Sequence, residues 1–146
     1  MLDLVARGVS ELPALIDALA TSHGIDRKRV ALVGISMGAF LAYHAVACAV
    51  PLRSVVALLG SPEWPDERSP HARLEAFRHV SLLSITAEHD THVPGAPVHR
   101  LHLNLAIRHP TSIHRYHVLR GAGHLTSGAE WDDAMHATLA WLVQTI

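Results

Sequence analysis

The chain has 146 residues, 49% hydrophobic and 17% charged, with a formal net charge of −1 at pH 7. That length makes one domain with room for a sizeable core, and the near-neutral balance gives no electrostatic case for nucleic acid or an anionic membrane surface. No apolar run approaches the roughly 18 residues that span a bilayer, which excludes a helical membrane anchor within these residues.

Leu4, Val5, Val9, Leu12, Ile16 and Leu19 recur at helical spacing and predict a helix over residues 2–22, closed by Gly24. Pro13 falls inside that pattern, so the helix either kinks there or starts afresh near Ser10, a candidate N-cap. Asp26-Arg27-Lys28 links it to Val30–Val33, an apolar run of the kind that forms a strand buried on both faces. Gly34-Ile35-Ser36-Met37-Gly38 follows at once, and a helical stretch from Ala39 to Val50 comes next. Met37, Phe40, Leu41, His44, Ala45 and Cys48 form one stripe of that helix, which reads as core packing with Cys48 as a small hydrophobe.

Ser54–Leu59 is the second predicted strand, followed by an irregular stretch from Gly60 to about Pro70 that is rich in turn formers. Trp64 lies in it, and two roles stay open: lining an acyl or leaving-group pocket at the strand's carboxyl end, or packing over the sheet edge. Residues 71–79 read as a short helix and Val80–Thr86 as the third strand, with the loop Ala87–Pro94 after it. Pro97 suits the first turn of a helix that stops before Pro110. Ile113–Leu119 is the fourth strand, and Gly121-Ala122-Gly123-His124 is its loop. Ser127 or Gly128 opens a final helix expected to turn Trp131, Met135, Leu139, Leu142 and Val143 inward. Strand–helix alternation without an internal repeat predicts a parallel sheet with helices on both faces.

Gly-x-Ser-x-Gly between a buried strand and a helix is the pattern of a nucleophile on a sharp turn. Such a turn strains the serine backbone and crowds the residues two positions either side, a demand that Gly34 and Gly38 meet. The helix that follows aims its free N–H groups at developing negative charge, which makes the backbone N–H of Met37 an oxyanion donor. A serine nucleophile needs a base, and the base needs an acid to hold its tautomer. Asp90 and His124 each sit in a loop after a predicted strand, as Ser36 does. Glu88 competes as the acid, but Asp90 lies farther into the loop and Glu88 reads as solvated; His89 and His92 compete weakly as the base. The chain carries thirteen histidines, none at zinc-site spacing, and His99 and His102 read as two surface histidines on one helix face. No metal and no organic cofactor is implied.

The motifs Gly34-Ile35-Ser36-Met37-Gly38-Ala39, Leu58-Leu59-Gly60-Ser61-Pro62, Asp90-Thr91-His92-Val93-Pro94 and Gly121-Ala122-Gly123-His124 together span most of the chain, from Gly34 to His124. As a set they resemble the α/β-hydrolases, closest to the dienelactone-hydrolase-like and prolyl-oligopeptidase-like serine esterases. Ala87 departs from a frequent glycine. The resemblance implies a single domain over residues 1–146 with a truncated α/β-hydrolase fold, about four parallel strands flanked by helices. It implies a Ser36–Asp90–His124 triad acting on small esters through an acyl-serine, with a peptidase or thioesterase as the variant chemistry. A non-catalytic hydrolase-like module, used in assembly or ligand binding, is the reading from another class.

Relatives carry several strands before the nucleophile strand, whereas one helix precedes it here. The loop that supplies their second oxyanion N–H is outside these residues, so the expectation is a fragment, a minimal hydrolase or a protomer completed by another subunit. The same omission leaves Val30–Val33 as an open edge, which predicts a homodimer or larger oligomer, with antiparallel pairing of those strands as one route. The short segment between Leu59 and Val80 leaves no room for a large lid, which favours short substrates. Asp3 stands where a signal peptide carries positive charge, and the single cysteine fits a reducing compartment, so the expected location is the cytoplasm.

Overall fold

The computed structural model describes residues 1–146. Four strands, β1 (Ala31–Ile35), β2 (Ser54–Leu58), β3 (Ser81–Ala87) and β4 (His114–Leu119), form one sheet in sequence order, every neighbouring pair parallel. Parallel neighbours need crossovers, and helices α1 (Leu2–His23), α2 (Met37–Ala47), α3 (Ala96–Arg108) and α4 (Ala129–Thr145) surround the sheet. Because every pair is parallel, the carboxyl ends of all four strands point the same way.

The two sheet faces bury separate cores, as the period-2 alternation of strand side chains requires. Val55, Ala57 and Leu82 point to the face covered by α1, α2 and α3, where Val9, Tyr43, Phe77, Leu101 and Leu105 complete the cluster. Val56, Leu58, Leu83, Ile85 and Leu119 point to the other face, against Ala134 and Trp141 of α4. β2 and β3 are buried along their whole length, whereas β1 pairs only with β2 and leaves Val33 and Ile35 exposed.

Several elements differ from the sequence expectation. α1 runs unbroken through Pro13: the proline is exposed, while Val5, Val9 and Ile16, before and after it in sequence, are buried and hold the two halves in line. Gly24 closes it with φ 65°, as a helix-ending glycine should. Residues 71–79 are not a helix but two 3-10 turns, Pro70–Ala72 and Leu74–Phe77, anchored by the buried Phe77. α2 is buried almost all round from Ala42 to Ala47, while Cys48, expected in the core, is exposed just beyond its last turn.

The largest correction concerns α4, whose inner face is Ala134, Thr138, Trp141 and Thr145. Leu139 and Val143, expected inside, point outward. The reason is a polar anchor on the sheet: the Trp141 indole N–H donates to Ser54 Oγ at 3.0 Å, and Thr145 Oγ1 lies 2.8 Å from the same oxygen. Turning the helix to bury Leu139 and Val143 would strand the buried Ser54 hydroxyl without a partner.

A second buried polar chain runs between α2, β3 and α3. Tyr43 O–H donates to Ser84 Oγ at 2.8 Å, and Ser84 Oγ lies 2.8 Å from His102 Nε2. Ser84 has one proton, so with Tyr43 donating to it the serine donates to a neutral His102. His102 is therefore no solvated surface residue; it packs on Tyr116, as the exposed His99 does. Burial, then the nearby His114 and His99, push the His102 pKa from 6.5 down to about 4. Native His102 is thus neutral where an unfolded one charges. Its contribution to stability is complete above pH 6.5 and drains away as the pH falls toward 4. The expected loss by pH 4.5 is roughly 3 kcal/mol, read as a drop in the thermal midpoint. His102→Gln, which keeps a partner for Ser84 and cannot charge, should flatten that drop; an unchanged slope would remove His102 from the account.

Candidate active site

Ser36 occupies the turn between β1 and α2 with φ 52° and ψ −115°, left-handed backbone that a non-glycine residue adopts only under constraint. The constraint is visible in the backbone: Ser36 N–H donates to Leu58 O at 2.8 Å, and the Ser36 carbonyl accepts from Ala39 N–H at 2.9 Å. At Gly34 a Cβ would lie 2.0 Å from Gly38 O, and at Gly60 one would lie 2.4 Å from Ala39 Cβ. At Gly38 a Cβ would meet nothing within 4 Å. The crowding expected on both sides of the serine therefore falls on Gly34 alone, with Gly60 at the end of β2 as an unforeseen second contact. Gly34→Ala should cost roughly 3 kcal/mol or more, because backbone must move. Gly38→Ala should stay within about 1 kcal/mol. Equal urea midpoints for the two variants would contradict this assignment.

His124 Nε2 lies 3.0 Å from Ser36 Oγ, and His124 Nδ1 lies 2.7 Å from Asp90 Oδ2. The three side chains come from the ends of β1, β3 and β4 and meet above the sheet. The Asp90 side chain is fully buried, yet its second oxygen accepts N–H groups from His92 at 2.9 Å and Val93 at 2.8 Å. Burial by itself raises the Asp90 pKa; the Val93 N–H, His124 and the His92 N–H together outweigh it and hold the carboxyl below its ordinary value. A charged Asp90 keeps the proton of a neutral His124 on Nδ1, which leaves Nε2 free to accept from the Ser36 hydroxyl.

Glu88 takes a different part. Its Oε2 accepts the Gly121 N–H at 2.9 Å and its Oε1 accepts from Arg120 at 2.9 Å, and those contacts, Gly121 first, lower its pKa. His89 N–H donates to Ala122 O at 2.8 Å beside it. Glu88 and His89 thus tie the Asp90 loop to the His124 loop without entering the hydrogen-bonded line. Nothing in a single sequence marks that tie, since it joins residues 33 positions apart. The His92 ring packs 5.7 Å from that of His124, tilted by 40°, and makes no hydrogen bond to Ser36.

Met37 is the first residue of α2, so its N–H is one of the first-turn donors that find no partner inside the helix. Its side chain is half exposed, and Leu125, directly after His124, is almost wholly exposed. Trp64 is buried against His44, ring centroids 4.5 Å apart, two turns along α2 from Ser36, and its backbone N–H donates to Ser69 Oγ at 2.7 Å. The ring lies against α2, and its indole N–H has no hydrogen-bond partner. No cluster of three or more histidine, cysteine or acidic side chains is arranged to hold a metal ion, and no helix is long and apolar enough to cross a membrane.

Solved structures share this arrangement of elements. A Thermus thermophilus protein, TT1662, superposes with a TM-score of 0.74 at 23% identity, over 92% of this chain and 62% of its own. A Mycobacterium tuberculosis puromycin-hydrolyzing peptidase gives 0.83 at 21% identity, over 94% of this chain and 25% of its own. An esterase, PE8, gives 0.73 at 23% identity, over 97% and 62%. The chain therefore spans less than two thirds of the length of these structures. No curated protein matches it. The dienelactone hydrolase family profile matches residues 2–144. With an α/β-hydrolase arrangement of strands and a profile match over nearly its whole length, the chain belongs to the dienelactone hydrolase family.

Proposed function

We propose that the chain is a serine hydrolase that cleaves small carboxylic esters through an acyl-enzyme on Ser36. The observation that carries this reading is the unbroken hydrogen-bonded line from Ser36 Oγ through His124 to the buried Asp90 carboxylate. Ser36 Oγ attacks the ester carbonyl while His124 Nε2 takes its proton, and the carbonyl oxygen becomes an oxyanion facing the Met37 N–H. Collapse of the tetrahedral species breaks the bond to the alkoxy oxygen, and His124 returns the proton to the departing alcohol. Water then enters, gives a proton to His124 and attacks the acyl carbon; collapse releases the acid and restores the Ser36 hydroxyl. Asp90 holds the imidazole and stabilises its charged form throughout.

The exposed side chains of Met37 and Leu125, each beside a reacting residue in sequence, suit a short apolar acyl group at an open surface. Hydrolysis of p-nitrophenyl acetate tests the proposal, with saturation kinetics expected from the native chain. A rate no higher than that of Ser36→Ala would overturn it.

A further inference from the structure

The amino ends of the strands, at the other end of the sheet from Ser36, carry positive charge that nothing in the protein balances. A cavity of about 260 Å³ opens there, with Arg53, Arg78, His79, Ser81, Thr111 and Ser112 among its walls and no acidic residue. None of its lining residues belongs to α1 or β1. Arg27, Arg68, Arg100, Arg108 and Arg120 each hold a carboxylate. Arg53 and Arg78 hold none. Arg53 donates from Nε to the Thr145 carbonyl at 3.3 Å, which leaves its two terminal nitrogens free. Arg78 bonds only through its backbone, its N–H to Glu75 O and its carbonyl to the Ser112 hydroxyl at 2.7 Å, so its whole guanidinium is uncommitted. Ser81 is 8% exposed, and its hydroxyl has no partner in the protein. The backbone N–H groups of His79 and Thr111 likewise find no protein acceptor.

We infer that this cavity is a second ligand site, which takes a phosphate monoester with a small apolar organic group. Its unspent groups are nearly all donors, the mark of a site for an anion. Two guanidiniums lining one cavity without an acid repel each other, and a bound dianion removes that repulsion. A carboxylate offers two oxygens in one plane, enough for one guanidinium fork. A phosphate monoester offers three terminal oxygens in a tetrahedral array, enough for Arg53, Arg78 and the Ser81 hydroxyl together. The Ser112 hydroxyl spends its proton on Arg78 O and so ties the Thr111 segment to the turn that carries Arg78. The organic group has a place as well. An apolar hollow of about 340 Å³ adjoins the cavity and shares His79 and Val80 with it; Val46, Val50, Leu52 and Ala76 form its walls. Glu75, at its rim, is held by Arg108 at 2.7 Å. The charged head therefore lies between the arginines and the apolar group lies over Val80.

An amide NMR titration at constant ionic strength tests this. Phenyl phosphate should shift the His79, Ser81 and Thr111 amides saturably, with a dissociation constant below about 1 mM. Inorganic phosphate should shift the same amides and bind about tenfold more weakly, since it leaves the apolar hollow empty. Arg78→Ala, at an exposed position whose side chain holds nothing, should weaken phenyl phosphate about tenfold or more with melting unchanged. Arg7→Ala, which removes an exposed arginine of α1 that lines no part of the cavity, should leave the affinity as it is. The absence of a saturable shift by about 20 mM, or shifts centred on Ser36 and His124, would overturn the inference. So would equal losses in the two arginine variants, which is the result of unspecific charge attraction, or equal affinities for the two phosphates. Phenyl phosphate is not a carboxylic ester and the readout is binding, so these results stand apart from the esterase proposal.

Discussion

Ser36→Ala will lower turnover of p-nitrophenyl acetate by about 10⁴-fold or more, to a level set by surface histidines and water. The size of the effect follows from what the hydroxyl does: its oxygen carries the acyl group, and no other hydroxyl is hydrogen-bonded to His124. The substitution removes one oxygen from a half-buried position and leaves the Ser36 N–H bond to Leu58 intact, so the fold should be retained. Unchanged melting beside lost turnover is the expected pair of results. Lost melting with retained specific activity would point away from Ser36.

Asp90→Asn will cost about 10³–10⁴-fold in kcat with little change in KM. The argument is one of hydrogen-bond bookkeeping. Asp90 accepts on both oxygens, from the His92 and Val93 N–H groups on one and from His124 on the other. An asparagine has one acceptor and one donor end. If its oxygen stays on the two N–H groups, its NH₂ faces His124 Nδ1 and forces the imidazole proton onto Nε2. That nitrogen can then no longer accept from Ser36. If the amide turns round, its NH₂ meets two N–H donors in a buried site, which is costlier still. The first arrangement is therefore the populated one, and the base is lost while the surface around Ser36 stays as it was. A fall in KM with kcat preserved would contradict the role given to Asp90.

The parts of the site that could be read from the residues are those in which one short segment carries the whole signal. Val30 to Val33 running into Gly-x-Ser-x-Gly announces a strand, a sharp turn and a helix within nine residues; Asp90 follows the largely apolar Val80–Thr86, and His124 follows the mixed stretch Ile113–Leu119. What escaped depends on partners distant in the chain. Helical periodicity placed Leu139 and Val143 inside because it weighs side chains by polarity. The inner face is instead chosen by Ser54, buried on β2 some ninety positions away, which needs Trp141 and Thr145. Trp64 could not be placed because its partner, His44, lies on another element. The unequal roles of Gly34 and Gly38 depend on where each missing Cβ would point, which a symmetric motif does not reveal. Pro13 is a local signal overruled by packing on both sides of it.

One measurement bears most directly on the central claim, that Ser36 is an activated nucleophile. A fluorophosphonate probe should label the native chain at a single site, and peptide mapping should place the adduct on Ser36. The label should be absent from Ser36→Ala, from heat-denatured protein and, to within a few per cent, from Asp90→Asn. An unlabelled native chain, or an adduct on any other residue, would contradict the account.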